Sequence, residues 1–302
     1  MMRATTAMAS IEAGSRVSLG AADRVAVIAG SGRLPEIVIE SLALGGKAPF
    51  VVIVEGEAPP SVARSGSGSA TLALERIGSL VPMLRRERVT HIVMAGGIGR
   101  RPAWWAIRPT WSLLAIAARV FANLARGDDA ALSTGVRILE EEGFRVVGAH
   151  EVVPDLLAAE GLLGAVKPKR ADRSDLDAAF AAAKAIGELD IGQAAVSIGG
   201  RVIAVEGIEG TDGLLERVRS LRGHGRIAAH KRGVLVKCAK PGQELRADLP
   251  AIGPATIENA HAAGLVGIGV EAGRSLVLDQ MAVVQRADAL GLFVVGIPRG
   301  PA

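Results

Sequence analysis

Residues 24–44 read RVAVIAGSGRLPEIVIESLAL. The first six positions are the small and branched apolar residues of a strand buried on both faces. Gly30-Ser31-Gly32 follows, and from Leu34 to Leu44 the pattern becomes helical. Strand, tight turn and helix in that order open a doubly wound α/β unit. The alternation continues outward from there. Phe50–Val54 predicts a second strand, 77–87 a helix, and His91–Ala95 a third strand that ends in Gly96-Gly97. Helices are expected over 112–124 and 128–142, and a strand over 144–148. Residues 59–70, rich in Ser and Gly, read as a flexible loop.

The second half repeats the alternation. Residues 151–174 carry prolines, glycines and the charged stretch KPKRADRSD, which places a domain boundary there. The division is a disordered tail over 1–22, a doubly wound domain over 23–155, and a second α/β domain over 156–302. In that second domain helices are expected over 175–189, 213–221, 254–264 and 278–290. Strands are expected over 194–198, 201–206, 233–238, 265–270 and 293–297, in a mostly parallel sheet.

Of the 302 residues 49% are hydrophobic, 38 are glycine and only 3% are aromatic, which suits buried parallel strands. The net charge is +4, yet no basic run or aromatic-basic interleaving appears. That pattern points to anionic small molecules or a membrane surface and away from nucleic acid. Cys238 is the only cysteine, so no intrachain disulfide forms and a reducing cytoplasm is the expected compartment. No run of about 18 apolar residues predicts a membrane-spanning helix. The five histidines lack metal-ligand spacing, which argues against zinc.

The chemistry gathers in 237–258, KCAKPGQELRADLPAIGPATIE, a loop that leaves an apolar strand and enters a helix. A second charged loop, EGIEGTD over 206–212, also follows an apolar strand. In parallel sheets, ligands bind outside the carboxyl ends of the strands. Glu206, Lys237 and Glu271 sit at such ends, with Asp212, Lys240 and Asp248 in the adjoining loops. Each alone reads as a solvated loop charge; six converging on one edge read as a site. Glu209 and Glu244 read as surface charges. Asp248 lies in Asp-Leu-Pro-Ala-Ile-Gly, where Pro250 stiffens the backbone. A carboxylate held on a rigid loop can orient and deprotonate water, whereas its plainer reading is a turn or capping aspartate. Carboxylates for a divalent cation beside lysines for phosphate are what metal-dependent phosphoryl transfer needs.

In the first domain Gly30, Ser31 and Gly32 resemble a nucleotide loop, in which small residues let backbone N–H groups approach phosphate. Gly96 and Gly97 form a second close-approach loop, and Glu55 could bind a ribose. These features support a rival reading, an NAD(P)-dependent oxidoreductase. Pro35 stands where a third glycine belongs, and the chain has no tyrosine to act as a hydroxyl acid or base. A further rival is a non-catalytic nucleotide-sugar-binding protein. Residues 100–111, RRPAWWAIRPTW, hold all three tryptophans, including Trp104 and Trp105, together with Arg108. They suit a lipid headgroup interface or, more plainly, helix packing.

These motifs resemble the LpxI family of UDP-2,3-diacylglucosamine diphosphatases, enzymes of lipid A synthesis in Gram-negative bacteria. The matching stretches include IAGSGRLP at 28–35, GDDAALSTGVRILEEEGFRVVGAHEVVPDLL at 127–157, LDIGQAAV at 189–196 and VEGIEGTDGLL at 205–215. LVKCAKPGQELRADLPAIGPATIENA at 235–260, GIGVEAGRSLVLD at 267–279 and ADALGLFVVGI at 287–297 complete them. Two small departures, IAGSG for a glycine-richer start and DLPAIG for DLPTIG, remove no charged group.

The resemblance implies an amino-terminal Rossmann-like domain and a distinct carboxy-terminal domain. It implies Mg²⁺-dependent hydrolysis of a lipid nucleotide, with Mn²⁺ able to substitute, and a homodimer. Asp248 takes the place of the family's essential aspartate. Gly30, Ser31, Gly32, Gly96, Gly97, Gln193, Thr211, Lys237 and Lys240 become candidates for substrate and phosphate. Asp248, Asp212 and Glu206 become candidates for the metal. Two acyl chains of roughly a dozen methylenes each hold such a substrate in a bilayer by on the order of 20 kcal/mol. The expected location is therefore cytoplasmic, peripheral to the inner membrane.

Overall fold

The structure, a computed structural model, describes residues 17–99, 128–227 and 232–298. The expected helix over 112–124 and the tryptophan segment fall outside these residues. Five parallel strands form the first sheet: β1 (Val25–Ala29), β2 (Phe50–Val54), β3 (Gly68–Leu72), β4 (His91–Ala95) and β5 (Arg145–Val147), in the order β3-β2-β1-β4-β5. Val25, Val27 and Ala29 pack on one face with Val38, Ile39 and Leu42 of helix α1 (Leu34–Leu44). On the other face Ala26, Val52 and Ile92 meet Leu80 and Leu84 of α2 (Leu80–Arg86) and Val136 and Leu139 of α3 (Asp128–Glu141). Both faces are covered, which is why the strands read as continuous apolar runs rather than alternating ones.

The stretch expected to be a flexible loop, 59–70, runs into β3 at Gly68, which pairs with β2 from Phe50↔Gly68 to Val54↔Leu72. Its Gly-Ser-Ala-Thr sequence gives no apolar signal because an edge strand needs little burial to be held by one ladder of hydrogen bonds. Residues 17–22, assigned by sequence to the tail, are placed as well. Val17 donates its N–H to Glu151 O (2.9 Å), and Val17 and Leu19 lie against the first core.

The second sheet has six strands in the order β6-β13-β11-β9-β7-β8. These are β6 (Gly161–Leu162), β7 (Ala194–Ile198), β8 (Arg201–Val205), β9 (Val234–Lys237), β11 (Gly267–Glu271) and β13 (Phe293–Ile297). Strands β9, β11 and β13 are parallel, whereas β7 is antiparallel to both β9 and β8, and β6 is antiparallel to β13. The sheet is thus mixed where a mostly parallel one was expected. Strand β7 opposes both β8 and β9, so after the single reversal of the β7–β8 hairpin β8 runs in the direction of β9, β11 and β13.

One long helix, α4 (Arg170–Glu188), covers one face through Leu176, Ala179 and Ala183. It begins five residues before the expected start. The Asp172 carboxylate, one turn in, accepts the Lys169 N–H at 2.7 Å and satisfies a free helix-end donor. Helices α5 (Gly210–Gly223), α6 (Pro254–Ala262) and α7 (Gln280–Leu290) cover the other face through Leu214, Leu215, Ile257, Ala260 and Val283. A separate two-stranded parallel ribbon joins β10 (Ala251–Ile252) to β12 (Leu276–Val277). Among the described residues no helix is long and apolar enough to cross a membrane.

The glycine turns after β1 and β4 close on each other. Gly30 N–H donates to Ala95 O (2.8 Å), Ser31 N–H to Gly97 O (2.7 Å) and Gly97 N–H to Ser31 O (3.1 Å). A Cβ at Gly30 would lie 2.3 Å from Gly97 O, and one at Gly96 would lie 2.4 Å from Ser31 O. Backbone meets backbone here, so no side chain can yield. Gly30→Ala is therefore expected to destabilise the protein by about 1–3 kcal/mol. Urea unfolding would show it as a lower midpoint; an unchanged midpoint would mean that the two turns separate freely.

Candidate active site

The strand directions set the site. Strands β8, β9 and β11 end at one rim of the second sheet, where Lys237 and Glu271 are the last residues of their strands and Glu206 follows β8 at once. Strand β7 starts at that rim, which brings Gln193 there; its carbonyl accepts the Cys238 N–H at 3.0 Å. Cys238 is buried and burial pushes its thiol up to about 12, so it is a neutral packing residue and no nucleophile.

Glu271 is 3% exposed. Its Oε2 accepts from Lys184 Nζ at 2.7 Å and from the Ala239 N–H at 3.1 Å. Lys184 Nζ donates in turn to Ala239 O at 3.1 Å. One ion pair thereby fixes the start of the loop that follows β9. Lys240 completes that start: its ammonium pairs with Asp190, and its N–H donates to Gln243 Oε1 at 2.9 Å.

Gln243, 6% exposed, is the bracket for Asp248. Its Nε2 donates to Asp248 Oδ2 at 2.7 Å. The Asp248 N–H donates to Glu244 O at 3.0 Å, which closes the turn below it. Just beyond, Leu276 N–H donates to Pro250 O (2.7 Å) and Leu278 N–H to Ile252 O (2.8 Å), so β12 seams the loop down. Asp248 itself is exposed, with one oxygen engaged and the other turned to no protein donor among the described residues. Lys237 is half-buried and donates to Ala251 O at 3.2 Å. No acidic partner meets it among the described residues, and its charge is open to an anion.

The same loop touches the first domain. Arg246 grips Glu244 through two contacts, at 2.9 and 2.8 Å, and reaches across to Glu140 of α3. Ala247 packs against the core of the first domain. The Glu244 carboxyl is held below its ordinary value, chiefly by the Arg246 hydrogen bond. This grip is complete at neutral pH and fades only as acid carries the pH down through that lowered value. Glu244 is thus a fastener where a surface charge was expected, and Glu209 also pairs, with Arg217 at 2.6 Å. On the facing side Arg33, just after Gly32, lies 3.7 Å from Asp279 at the head of α7. Asp248 accordingly stands where the two domains meet, next to Ala247 and Arg246, which contact the first domain.

The three metal candidates do not gather. Glu206 is buried with both oxygens engaged, accepting the Gln193 N–H at 2.8 Å and the Thr211 hydroxyl at 2.7 Å. It holds Gln193 and Thr211 in place. Asp212 lies in a groove between α5 and α6, accepting from Asn259 Nδ2 at 2.9 Å beside Leu215 and Arg219. No group of three His, Cys, Asp or Glu side chains among the described residues could cage a metal. The donor set fits a Mg²⁺ carried mainly by phosphate oxygens, an ion that keeps much of its water and takes one or two carboxylates. Asp248 is the carboxylate with an oxygen to offer. In the first domain the N–H groups of Gly30 and Ser31 already serve Ala95 and Gly97, leaving them closed to a phosphate, and Glu55 is exposed at the end of β2.

Family profiles described as LpxI N-terminal domain and LpxI C-terminal domain match residues 24–156 and 159–295. The UDP-2,3-diacylglucosamine pyrophosphatase LpxI of Caulobacter vibrioides is 41% identical over 275 residues, 91% of this chain and 97% of that protein. The chain belongs to the LpxI family. Two solved structures show a distant similarity. The biotin carboxylase domain of Hydrogenobacter thermophilus 2-oxoglutarate carboxylase has a TM-score of 0.25 at 12% identity, covering 72% of this chain and 44% of that one. The precorrin-6A reductase CobK reaches 0.31 at 15% identity, covering 93% and 90%. Values this low bear on neither fold nor function.

In this LpxI chain Lys184, Gln243, Asp190 and Arg274 shape the rim without having stood out in the sequence. Lys184 leaves a trace, since it is the one charge in the run AAFAAAKAIG, on a helix whose neighbours Ala183 and Gly187 face the sheet. Lys184→Met would strand Glu271 in the interior. The loss is expected to be about 2–3 kcal/mol, because a buried charge without its partner costs more than the pair contributes. Lys184→Arg should recover part of it in the same unfolding measurement. Equal stability of all three proteins would remove the ion pair from its organising role.

Proposed function

We propose that the protein hydrolyses the diphosphate of UDP-2,3-diacylglucosamine to 2,3-diacylglucosamine 1-phosphate and UMP, a step of lipid A biosynthesis. Membership of the LpxI family along nearly the whole chain supports the chemistry. The structural observation that carries it is Asp248, a carboxylate held by Gln243 on a seamed loop between the domains, with Lys237, which reaches the same loop at Ala251 O and meets no acidic partner among the described residues. The Asp248 oxygen left free by Gln243 would take a proton from the attacking water. The water oxygen bonds to phosphorus, the bridging phosphoanhydride bond breaks, and its electron pair leaves with the departing phosphate. Lys237 supplies positive charge to the phosphate oxygens as this happens. Lys240 is spent on Asp190 and positions the loop. Gln193 has a buried Oε1 without a partner, an acceptor for a donor on the ligand.

Mg²⁺, or Mn²⁺ in its place, would be held mainly by the diphosphate, with Asp248 meeting it through the ion's water so that the free oxygen stays available as base, and would neutralise the charge on the phosphates. The same reading carries a homodimer at the cytoplasmic surface of the inner membrane. A substrate with two acyl chains stays in the bilayer, and the enzyme must come to it. The oxidoreductase reading loses its support where the Gly30 and Ser31 amides are taken by the neighbouring turn.

UMP release from UDP-2,3-diacylglucosamine tests the reading directly. Activity should vanish in EDTA and return with Mg²⁺ or Mn²⁺; full turnover after exhaustive dialysis against EDTA would remove the metal. Asp248→Asn keeps the shape of the loop and its contact with Gln243 but loses basicity. It should lower kcat by about 10²–10⁴-fold and leave substrate binding far less changed, since repulsion of the diphosphate also falls. A near-wild-type kcat would make Asp248 a loop-shaping residue.

A further inference from the structure

We infer that the turn carrying Arg274 and Ser275 is an anion site for the diphosphate, with Arg274 as its principal binding residue. The inference deepens the hydrolase reading above and rests on it. The turn joins β11 to β12 on the rim already described, and its backbone is fixed on every side. Ala272 N–H donates to Ile297 O (2.9 Å), Gly273 N–H to Ala158 O (2.9 Å), and Arg274 N–H to Glu271 O (3.2 Å). Ser275 O accepts the Ala158 N–H at 2.9 Å.

The side chains are another matter. Arg274 Nε is buried without a hydrogen-bond partner, and so is Ser275 Oγ, on a residue that is 0% exposed. Five buried side-chain atoms among the described residues lack a partner, and three of them, with Gln193 Oε1, lie on this rim. A buried polar group without a partner destabilises a fold, and a charged one more so. Two in adjacent residues of a rigid turn mark a place where oxygens from outside the chain belong.

Charge points the same way. Arg274 Nη1 is 4.0 Å from Glu271 Oε1, too long for a good hydrogen bond, while Oε2 of that carboxylate already holds Lys184 at 2.7 Å. One carboxylate serves two cations, and the charge of the arginine is left over. The ribbon register then places it. Ala251 pairs with Leu276 and Ile252 with Val277 in parallel, so Arg274 and Asp248 both precede the same end of this ribbon. Lys237 reaches the same ribbon at Ala251 O. An arginine, a lysine and the candidate base thus share one end of one small sheet. A diphosphate neutralises the two cations and accepts from the guanidinium of Arg274, whose side chain is 22% exposed.

The test uses Arg274→Met and Arg274→Lys in the full chain, with UDP as the binding probe in calorimetry and UDP-2,3-diacylglucosamine as substrate. Loss of a charge-assisted hydrogen bond is expected to weaken UDP binding and to lower kcat/KM by about 10–100-fold in Arg274→Met. Arg274→Lys should stay several-fold below wild type, because lysine restores the charge and not the Nε–H. Without ligand, the Tm of Arg274→Met should equal or exceed that of wild type, since an unpaired buried N–H has gone. Wild-type UDP affinity in Arg274→Met would overturn the inference. So would a lowered ligand-free Tm with unchanged affinity, the signature of a packing residue. If the wild type releases no UMP yet binds UDP through Arg274, the hydrolase reading fails and the anion site stands. If the wild type does not bind UDP at all, the anion site falls.

Discussion

Glu271 ends one of the two central strands of the second sheet almost out of contact with water, and a buried carboxylate in that position needs an ionic partner. Lys184, from the middle of α4, neutralises it at 2.7 Å. The geometry of the rim follows from this pair. The carboxylate orients the Ala239 amide, the ammonium holds the Ala239 carbonyl, and the chain leaves β9 in a single direction. That direction sets Lys240 against Asp190 and Gln243 under Asp248. The pair also explains why Arg274 is only loosely compensated, since the carboxylate it approaches is already occupied. A stabilising interaction at one end of the carboxylate thus leaves an unfulfilled cation at the other.

The second constraint is the meeting of the domains. The Asp248 loop is fixed on its own domain by the β10–β12 ribbon and on the other domain by Arg246 and Ala247. Arg33 approaches Asp279 from the opposite side. Apart from Ala247 these contacts are polar and partly exposed, a kind that permits relative motion more readily than a continuous apolar interface would. The glycine turns of the first domain sit at the switch point between β1 and β4, where doubly wound sheets place their crevice. Their glycines are required by the close approach of two backbones, and their inner amides are consumed by it. A motif that resembles a phosphate loop in sequence is here a structural clasp between two turns.

A phosphoanhydride is already strongly charged, so a site for its hydrolysis needs fixed positive charge, a positioned base and little repulsion. The rim meets these needs unevenly. Lys237 and Arg274 carry charge without full compensation, whereas Lys240, Lys184 and Glu206 are consumed in holding the site together. Charges that look equivalent along the chain divide into those left with capacity for a ligand, those that hold the rim together, and Asp212, which lies apart in the groove between α5 and α6. Burial and partner count make the division: Glu206 has both oxygens engaged, and Asp248 has one to spare.

What the sequence determined by itself was the local order: apolar runs long enough for buried strands, glycine turns after β1 and β4, helices between them, and an aspartate stiffened by Pro250 after β9. Each of these is written within a window of about ten residues. The faintest strand, β3, escaped because edge pairing demands no apolar pattern, and the early start of α4 escaped because a capping aspartate is indistinguishable in sequence from a linker charge. The tertiary structure alone decided which charges meet. Lys184 and Glu271 stand 87 positions apart, and Arg246 and Glu140 stand 106 apart. It also decided that the β7–β8 hairpin returns Glu206 to the rim of β9 and β11 in a mixed sheet. No local pattern encodes such pairings, because the energy of a buried charge depends on which partner the fold brings within hydrogen-bond reach and on how completely it excludes water.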